Sequence, residues 1–143
     1  MVGTFEYRVD EKGRVPLPPR WRHEFRGEFY LTVAAEKCVT GYSADEWKRV
    51  TADLGSDPIP NETTRRVKRR MLADAYAAEL DAQGRVILSP ILREHAGIVD
   101  SAIVIGQDNY FEVWNPESWR AEHAVSTEQA PENIEKLRAQ RRQ

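Results

Sequence analysis

The chain has 143 residues, a formal net charge of −2, 41% hydrophobic and 31% charged residues, and a single cysteine. That length gives one domain with one core, the composition is that of a soluble globular protein, and the lone Cys38 excludes an internal disulfide framework and fits a reducing compartment. No apolar run approaches the ~20 residues of a bilayer span and no signal-peptide core opens the chain, so the expected location is cytoplasmic.

Residues 4–9 alternate as a short strand rich in aromatic and β-branched side chains. Asp10 to Gly13 then read as a turn, with an Asp side chain that can accept a backbone N–H and a glycine free to take positive φ. Arg14-Val-Pro-Leu resumes an extended path, so the turn is expected to be the loop of a β-hairpin, with Pro16 favouring an edge position. Pro18-Pro19 opens a one- or two-turn helix that buries Trp21 and Phe25 and ends at Gly27. Strands follow at 28–34 and 38–42. Ser43 and Glu46 form a capping box for a helix carrying Trp47, Val50 and Leu54 on one face and stopping near Gly55.

Ser56 to Pro60 is a connector. Asn61 is an N-cap for a helix through Ala73, with Val67 and Met71 turned inward and Arg65, Arg66, Lys68, Arg69 and Arg70 on its outer face. Strand 74–80, a turn and strand 85–88 come next. Pro90 opens a short helix ending before Gly97. Ala102 to Ile105 is a fully buried strand, and residues 110–114 return after a turn. Asn115-Pro116 caps a last helix containing Trp119. The tail from Glu122 is polar, with a break expected near Pro131. It reads equally as a short docked helix or as a frayed end.

The plan is written twice. Asp10-Glu11-Lys12-Gly13-Arg14-Val15 returns as Asp81-Ala82-Gln83-Gly84-Arg85-Val86, and at the same offset Leu17 meets Leu88, Pro19 meets Pro90 and Arg22 meets Arg93. With one residue inserted, Tyr42 faces Trp114 and Trp47 faces Trp119. Two copies of one unit, each too small to stand alone, are expected to share a core. The segments are 4–50, a helical connector 51–73, 74–121 and a tail 122–143. Charge divides unevenly among them: residues 1–50 carry nine basic and eight acidic side chains, 51–73 five and three, 74–121 three and eight. If phosphate is bound, the first copy and the connector are the place to look.

The doubled Asp-x-x-Gly-Arg loop, with Pro19 and Pro90 downstream and paired strands leading to Trp47 and Trp119, resembles the two domains of the MraZ family, transcriptional regulators of bacterial division and cell-wall genes. The resemblance runs from about Thr4 to the final helix. Where family members usually carry a Phe-Phe-Ser-Gly-Ala-like stretch before the second domain, this chain has Met71-Leu72-Ala73-Asp74-Ala75. The resemblance implies a mainly β fold with α (α+β), in which two tandem SpoVT-AbrB-like swapped-hairpin repeats form a double-split β-barrel with flanking helices. It also implies ring-like homo-oligomers, associated with the nucleoid, that bind direct repeats in promoter DNA.

Arg14, with Lys12, Asp10, Gly13 and Arg8 around it, is the candidate for contact with double-stranded DNA, because a guanidinium fork can bind phosphate or read a guanine edge. The plainer reading is that Arg14 pairs with Asp10 and fixes the turn; both can hold together. Asp81, Gln83, Gly84 and Arg85 are assigned a structural or interface role. The helix face from Arg65 to Arg70 reads as a solvated face that could supplement phosphate binding. The rival to a DNA-binding homo-oligomer is an oligomeric adaptor without DNA binding. His23, His95 and His123 lack metal-ligand spacing, and no nucleophile has an evident base, so no enzyme, metal or cofactor is expected. Cys38 reads as a small core residue, and the four tryptophans as core or interface.

Overall fold

The computed structural model describes residues 1–56, 58–59 and 61–142; two residues of the expected connector, Asp57 and Pro60, and the final residue of the tail, Gln143, lie outside these. The first copy supplies β1 (Thr4–Arg8), β2 (Arg14–Pro16), a 3-10 helix (Pro19–Phe25), β3 (Phe29–Val33), β4 (Val39–Tyr42) and α1 (Ala44–Leu54). Helix α2 (Glu62–Ala73) leads to the second copy, with β5 (Tyr76–Ala78), β6 (Arg85–Ile87), α3 (Pro90–Ala96), β7 (Ser101–Gly106), β8 (Phe111–Trp114) and α4 (Pro116–Arg141).

The elements largely follow local chemistry. Prolines open the 3-10 helix, α3 and α4, where a missing N–H costs nothing. Ser43, Asn61, Ser89 and Asn115 each accept a backbone N–H at a helix start. Gly97 ends α3 in the left-handed conformation, at φ 66°. The capping box of α1 is only half formed: Ser43 Oγ accepts from Glu46 N at 3.3 Å, but the Glu46 carboxylate accepts from Asn109 Nδ2 at 2.9 Å and faces Arg49. A tertiary partner from the second copy has taken the acid.

All strand pairs are antiparallel, and the six-stranded sheet has the order β1-β7-β8-β4-β3-β5. Exchanging the copies (β1 for β5, β7 for β3, β8 for β4) reverses that order, so an approximate two-fold axis passes between β4 and β8. Among the described residues β2 and β6 pair only with each other, in register Val15↔Val86. The expected local hairpin is therefore replaced. Asp10 N donates to Arg14 O at 3.3 Å across the base of the loop; beyond it β1 leaves for β7 and β2 for β6. Burial accompanies the exchange: Val15 and Val86, paired across the copies, both lie in the common core.

The strand pairings among the described residues do not close a barrel. β1 and β5 are the outer strands of the large sheet, and β2–β6 stands apart as a two-stranded sheet. β2 and β6 are each three residues long, and Pro16 withholds an N–H from any further ladder.

One core spans both copies, with Leu17, Phe25, Phe29 and Leu31 from the first packed among Leu88, Leu92, Val104 and Phe111 from the second. The ring of Phe111 meets Phe25 edge-on, with centroids 5.2 Å apart, and also meets Trp21 at a tilt, with centroids 6.3 Å apart. A smaller cluster joins Cys38, Ile103, Ile105 and Trp114.

Two further expectations change. Val67 and Met71 do turn toward the body of the protein, yet Val67 stays 42% exposed, and Arg70 shares their side of the helix. The tail does not break at Pro131: α4 is one helix of 26 residues running through it. Proline costs a helix interior about 3 kcal/mol; strong helix formers flank it, with ion pairs Glu132–Lys136 at 3.4 Å and Glu135–Arg138 at 3.0 Å just downstream. Ile134 and Leu137 remain exposed.

Gly41 of β4 sits against the end of the Phe111 ring, where a Cβ would overlap Cζ. Phe111 is fully buried and cannot swing away. Gly41→Ala should therefore lower stability by about 1–3 kcal/mol, the usual cost of overpacking. Urea denaturation measures this, and adding Phe111→Leu should recover part of the loss.

Candidate nucleic-acid interface

The two signature loops are built alike. Asp10 Oδ1 accepts from the backbone N–H groups of Lys12 at 3.0 Å and Arg14 at 2.9 Å, and Gly13 N donates to Asp10 O at 2.9 Å. Asp81 repeats this with Gln83 N and Arg85 N, both at 2.9 Å, and Gly84 N reaches Asp81 O at 3.0 Å. Gly13 and Gly84 both hold positive φ, at 77° and 75°, which an L side chain rarely tolerates. The loops are thus rigid turns organised by an aspartate.

Each loop is also locked to the other copy. Leu17 N donates to Gly84 O at 3.0 Å, and Leu88 N donates to Gly13 O at 2.9 Å. Arg93 Nε donates to Leu88 O at 3.1 Å, and its guanidinium backs Gly13 so closely that an added Cβ would lie 2.9 Å from Nε. Arg22 Nε donates to Leu17 O at 3.0 Å and backs Gly84 in the same manner. The signal for Arg22 and Arg93 in the sequence is their matching position in the two copies. Their contacts cross the pseudo-symmetry axis, which no local reading anticipates.

The loops lie side by side: Arg85 Nη1 is 3.8 Å from Asp10 Oδ2. Together with Arg8, Glu11 and Asp100 they line a shallow groove of about 520 Å³. Arg14 donates Nε to Asp10 Oδ2 at 2.5 Å, and Arg85 donates Nε to Asp81 Oδ2 at 2.9 Å. The two arginine side chains are equally accessible, at 28%. Their terminal nitrogens differ. Arg85 also gives Nη2 to Gln83 Oε1 at 3.3 Å and turns Nη1 toward Asp10. Arg14 has Asp10 as its sole ion-pair partner among the described residues, through Nε. Lys12 and Arg8 are exposed and make no ion pair among those residues.

The connector contributes less free charge than its sequence suggests. Arg66 pairs with Glu62 at 2.7 Å, and Arg70 binds both Asp74 and His95. Cys38 is wholly buried beside Glu112, which together with burial pushes its thiol well above the ordinary range. Burial is the larger cause of that shift, and it favours the protonated thiol. No helix is long and apolar enough to cross a membrane among the described residues.

The sequence profile of a family described as the MraZ protein, antitoxin-like, matches residues 1–70 and again 71–142. The chain belongs to the MraZ family. It is 36% identical over 136 residues to the transcriptional regulator MraZ of Thermomicrobium roseum, covering 95% of this chain and 96% of that one. To the transcriptional regulator MraZ of Dehalococcoides mccartyi it is 41% identical over 136 residues, covering 94% and 96%. The corresponding protein of Caldanaerobacter subterraneus is 37% identical over 134 residues, covering 94% and 93%. The two profile matches divide this MraZ-family chain within α2, so each includes one copy of the loop.

The loop aspartates give the fold an acid-sensitive element. The N–H of Arg14 holds Asp10 below its ordinary value of 3.8, with the Arg14 guanidinium and the Lys12 N–H adding to it; Arg85 and Gln83 do the same for Asp81. Because the folded values are depressed, the stabilisation is complete above the ordinary value and is lost as pH falls through the lower, folded one. Asp10→Asn should melt below the parent protein at neutral pH, and the gap should close in acid, where both side chains are uncharged. Thermal melts across the acid range check this; a gap independent of pH would dismiss the ionised loop.

Proposed function

We propose that this protein is a DNA-binding transcriptional regulator that presents the first-copy loop to duplex DNA. The supporting observation is the difference between two otherwise matched arginines. Arg85 spends its terminal nitrogens on Gln83 and Asp10, whereas Arg14 is oriented by Asp10 through Nε and keeps its outer fork for an external partner. Pairing to a carboxylate and contact with DNA are therefore compatible: the first pre-positions the group used in the second. Exposed Lys12 and Arg8 on either side of Asp10 add cations for phosphate, and Gly13 lets the backbone turn tightly enough to bring Lys12 to the tip. Asp81, Gln83, Gly84 and Arg85 support this face from the second copy.

The relatives named as transcriptional regulators agree with this reading. One subunit offers few cations, so its affinity for DNA is low. A homo-oligomer, ring-like by family resemblance, would present several Arg14 loops and gain avidity on direct repeats of matching spacing. The expected target is the promoter of the division and cell-wall gene cluster, in the cytoplasm at the nucleoid. Segments 4–50 and 74–121 serve as the two SpoVT-AbrB-like, swapped-hairpin halves of a double-split arrangement, joined by 51–73 and followed by the tail 122–143.

Arg14→Ala should abolish sequence-specific binding in a mobility-shift titration while leaving the melting temperature and oligomer size close to the parent's. Normal binding by that variant would refute the assignment. Lys12→Ala should weaken binding to all sequences alike and reduce the slope of log K against log salt by about 1. An adaptor acting only through protein contacts would show no such salt dependence.

A further inference from the structure

Between α2 and the sheet lies a cavity of about 340 Å³, with walls from the connector and from both copies. Its lining is largely apolar and aromatic: Val33 from β3, Val67 and Met71 from α2, and the rings of Tyr42 and Tyr110. Those two rings stack, with centroids 5.4 Å apart at 25°. Glu112 lines the cavity from the central strand β8 and is only 7% exposed. Its carboxylate accepts from Gln107 Nε2 at 3.0 Å, Trp114 Nε1 at 3.1 Å and Cys38 Sγ at 3.7 Å. A second carboxylate, Glu36, lines the same cavity, and its oxygen, the Cys38 sulfur and a Glu112 oxygen lie within 4.8 Å of one another.

Of the two carboxylates, Glu36 is exposed and Glu112 is buried. Among the described residues neither Glu36 nor Glu112 has an ion-pair partner, and Arg70, the cation on the wall, is engaged by Asp74 and His95. A buried carboxylate with a like charge beside it and no counter-ion is costly. Burial raises Tyr42, Tyr110 and Cys38 above their ordinary values, and the nearby Glu112 charge adds to the rise in each.

We propose that this cavity is a binding site for a small organic cation, a primary alkylamine in class. Its ammonium would be held at Glu112 and Glu36, and its hydrocarbon chain would lie between the tyrosine rings and the Val67–Met71 face of α2. Ammonium groups pair with carboxylates and with ring faces, and the apolar walls bury the chain. A bare divalent metal would use Glu36, Cys38 and Glu112 but would leave the apolar and aromatic walls without purpose. An organic cation uses both. Because the walls include α2, the occupant would hold the connector against the sheet.

The experiment is calorimetric and ligand-observed NMR titration of the full-length protein with butylamine and hexylamine at constant ionic strength, with butan-1-ol and zinc chloride as comparison probes. Saturable amine binding is expected, weakened about tenfold or more by Glu112→Gln, since a hydrogen bond to a charged group is lost. Should Glu112→Gln fold poorly, Val67→Trp fills the cavity from a half-exposed position and should abolish binding with the fold intact, as verified by its melting transition. Equal binding of butan-1-ol would overturn the proposal in favour of an apolar cavity. Zinc binding that Cys38→Ser removes, with no amine bound, would overturn it in favour of a metal centre, and binding of none of the probes would also overturn it. None of these outcomes depends on whether the protein binds DNA.

Discussion

The central constraint is that, among the described residues, β2 and β6 pair with each other and with no other strand. Each is three residues long and carries one fully buried valine, Val15 or Val86, so neither can form a stable sheet within its own copy. Their pairing forces the chain after each signature loop across to the other half. The remaining exchanges follow: β1 beside β7, β5 beside β3, and a single core in which Phe111 of the second copy is packed by Trp21 and Phe25 of the first. The two halves are one folding unit because their apolar faces are complementary only when interleaved.

The same interleaving stiffens the candidate interface. Gly13 and Gly84 hold left-handed turns, and each turn is backed by a guanidinium from the opposite copy's short helix. Loops exposed to solvent are usually the mobile part of a domain. Here the tips, Lys12 and Gln83, stand on turns whose backbone groups are satisfied by Asp10 and Asp81, and whose glycines are clamped from behind. Pre-organisation of this sort lowers the entropy lost when a loop engages a partner.

Symmetry is broken by few residues. Replacing Lys12 with Gln83 at the tip gives Arg85 an amide oxygen to bind, and the Asp10 carboxylate is close enough to attract its other nitrogen. At the matching tip position of the first loop stands Lys12, which offers Arg14 no acceptor, and Arg14 pairs with Asp10 through Nε. Counting charges separates the two halves, and the structural difference between the loops comes down to the side chain at one position, Lys12 against Gln83. The count also overstated the connector: Arg66 and Arg70 are neutralised by acids one helical turn away, an arrangement visible in the spacing of Glu62 and Asp74.

Local signals accounted for much of the fold. Prolines, caps and glycines placed every helix start, and alternation or continuous apolar runs placed the strands to within about two residues. The failures share a cause. A hairpin was expected where the chain swaps partners, a capping acid was taken by Asn109, and a proline was given the power to stop a helix that its neighbours sustain. The sequence by itself determined the repeat, the loop chemistry and which copy carries the basic version, because turns, caps and charge depend on residues a few positions apart. Only the tertiary structure decided which strands pair, that Arg22 and Arg93 reach across to the opposite loops, and that Glu112, Glu36 and two tyrosines meet around one cavity. Those contacts join residues far apart in the chain, and no period or spacing encodes them.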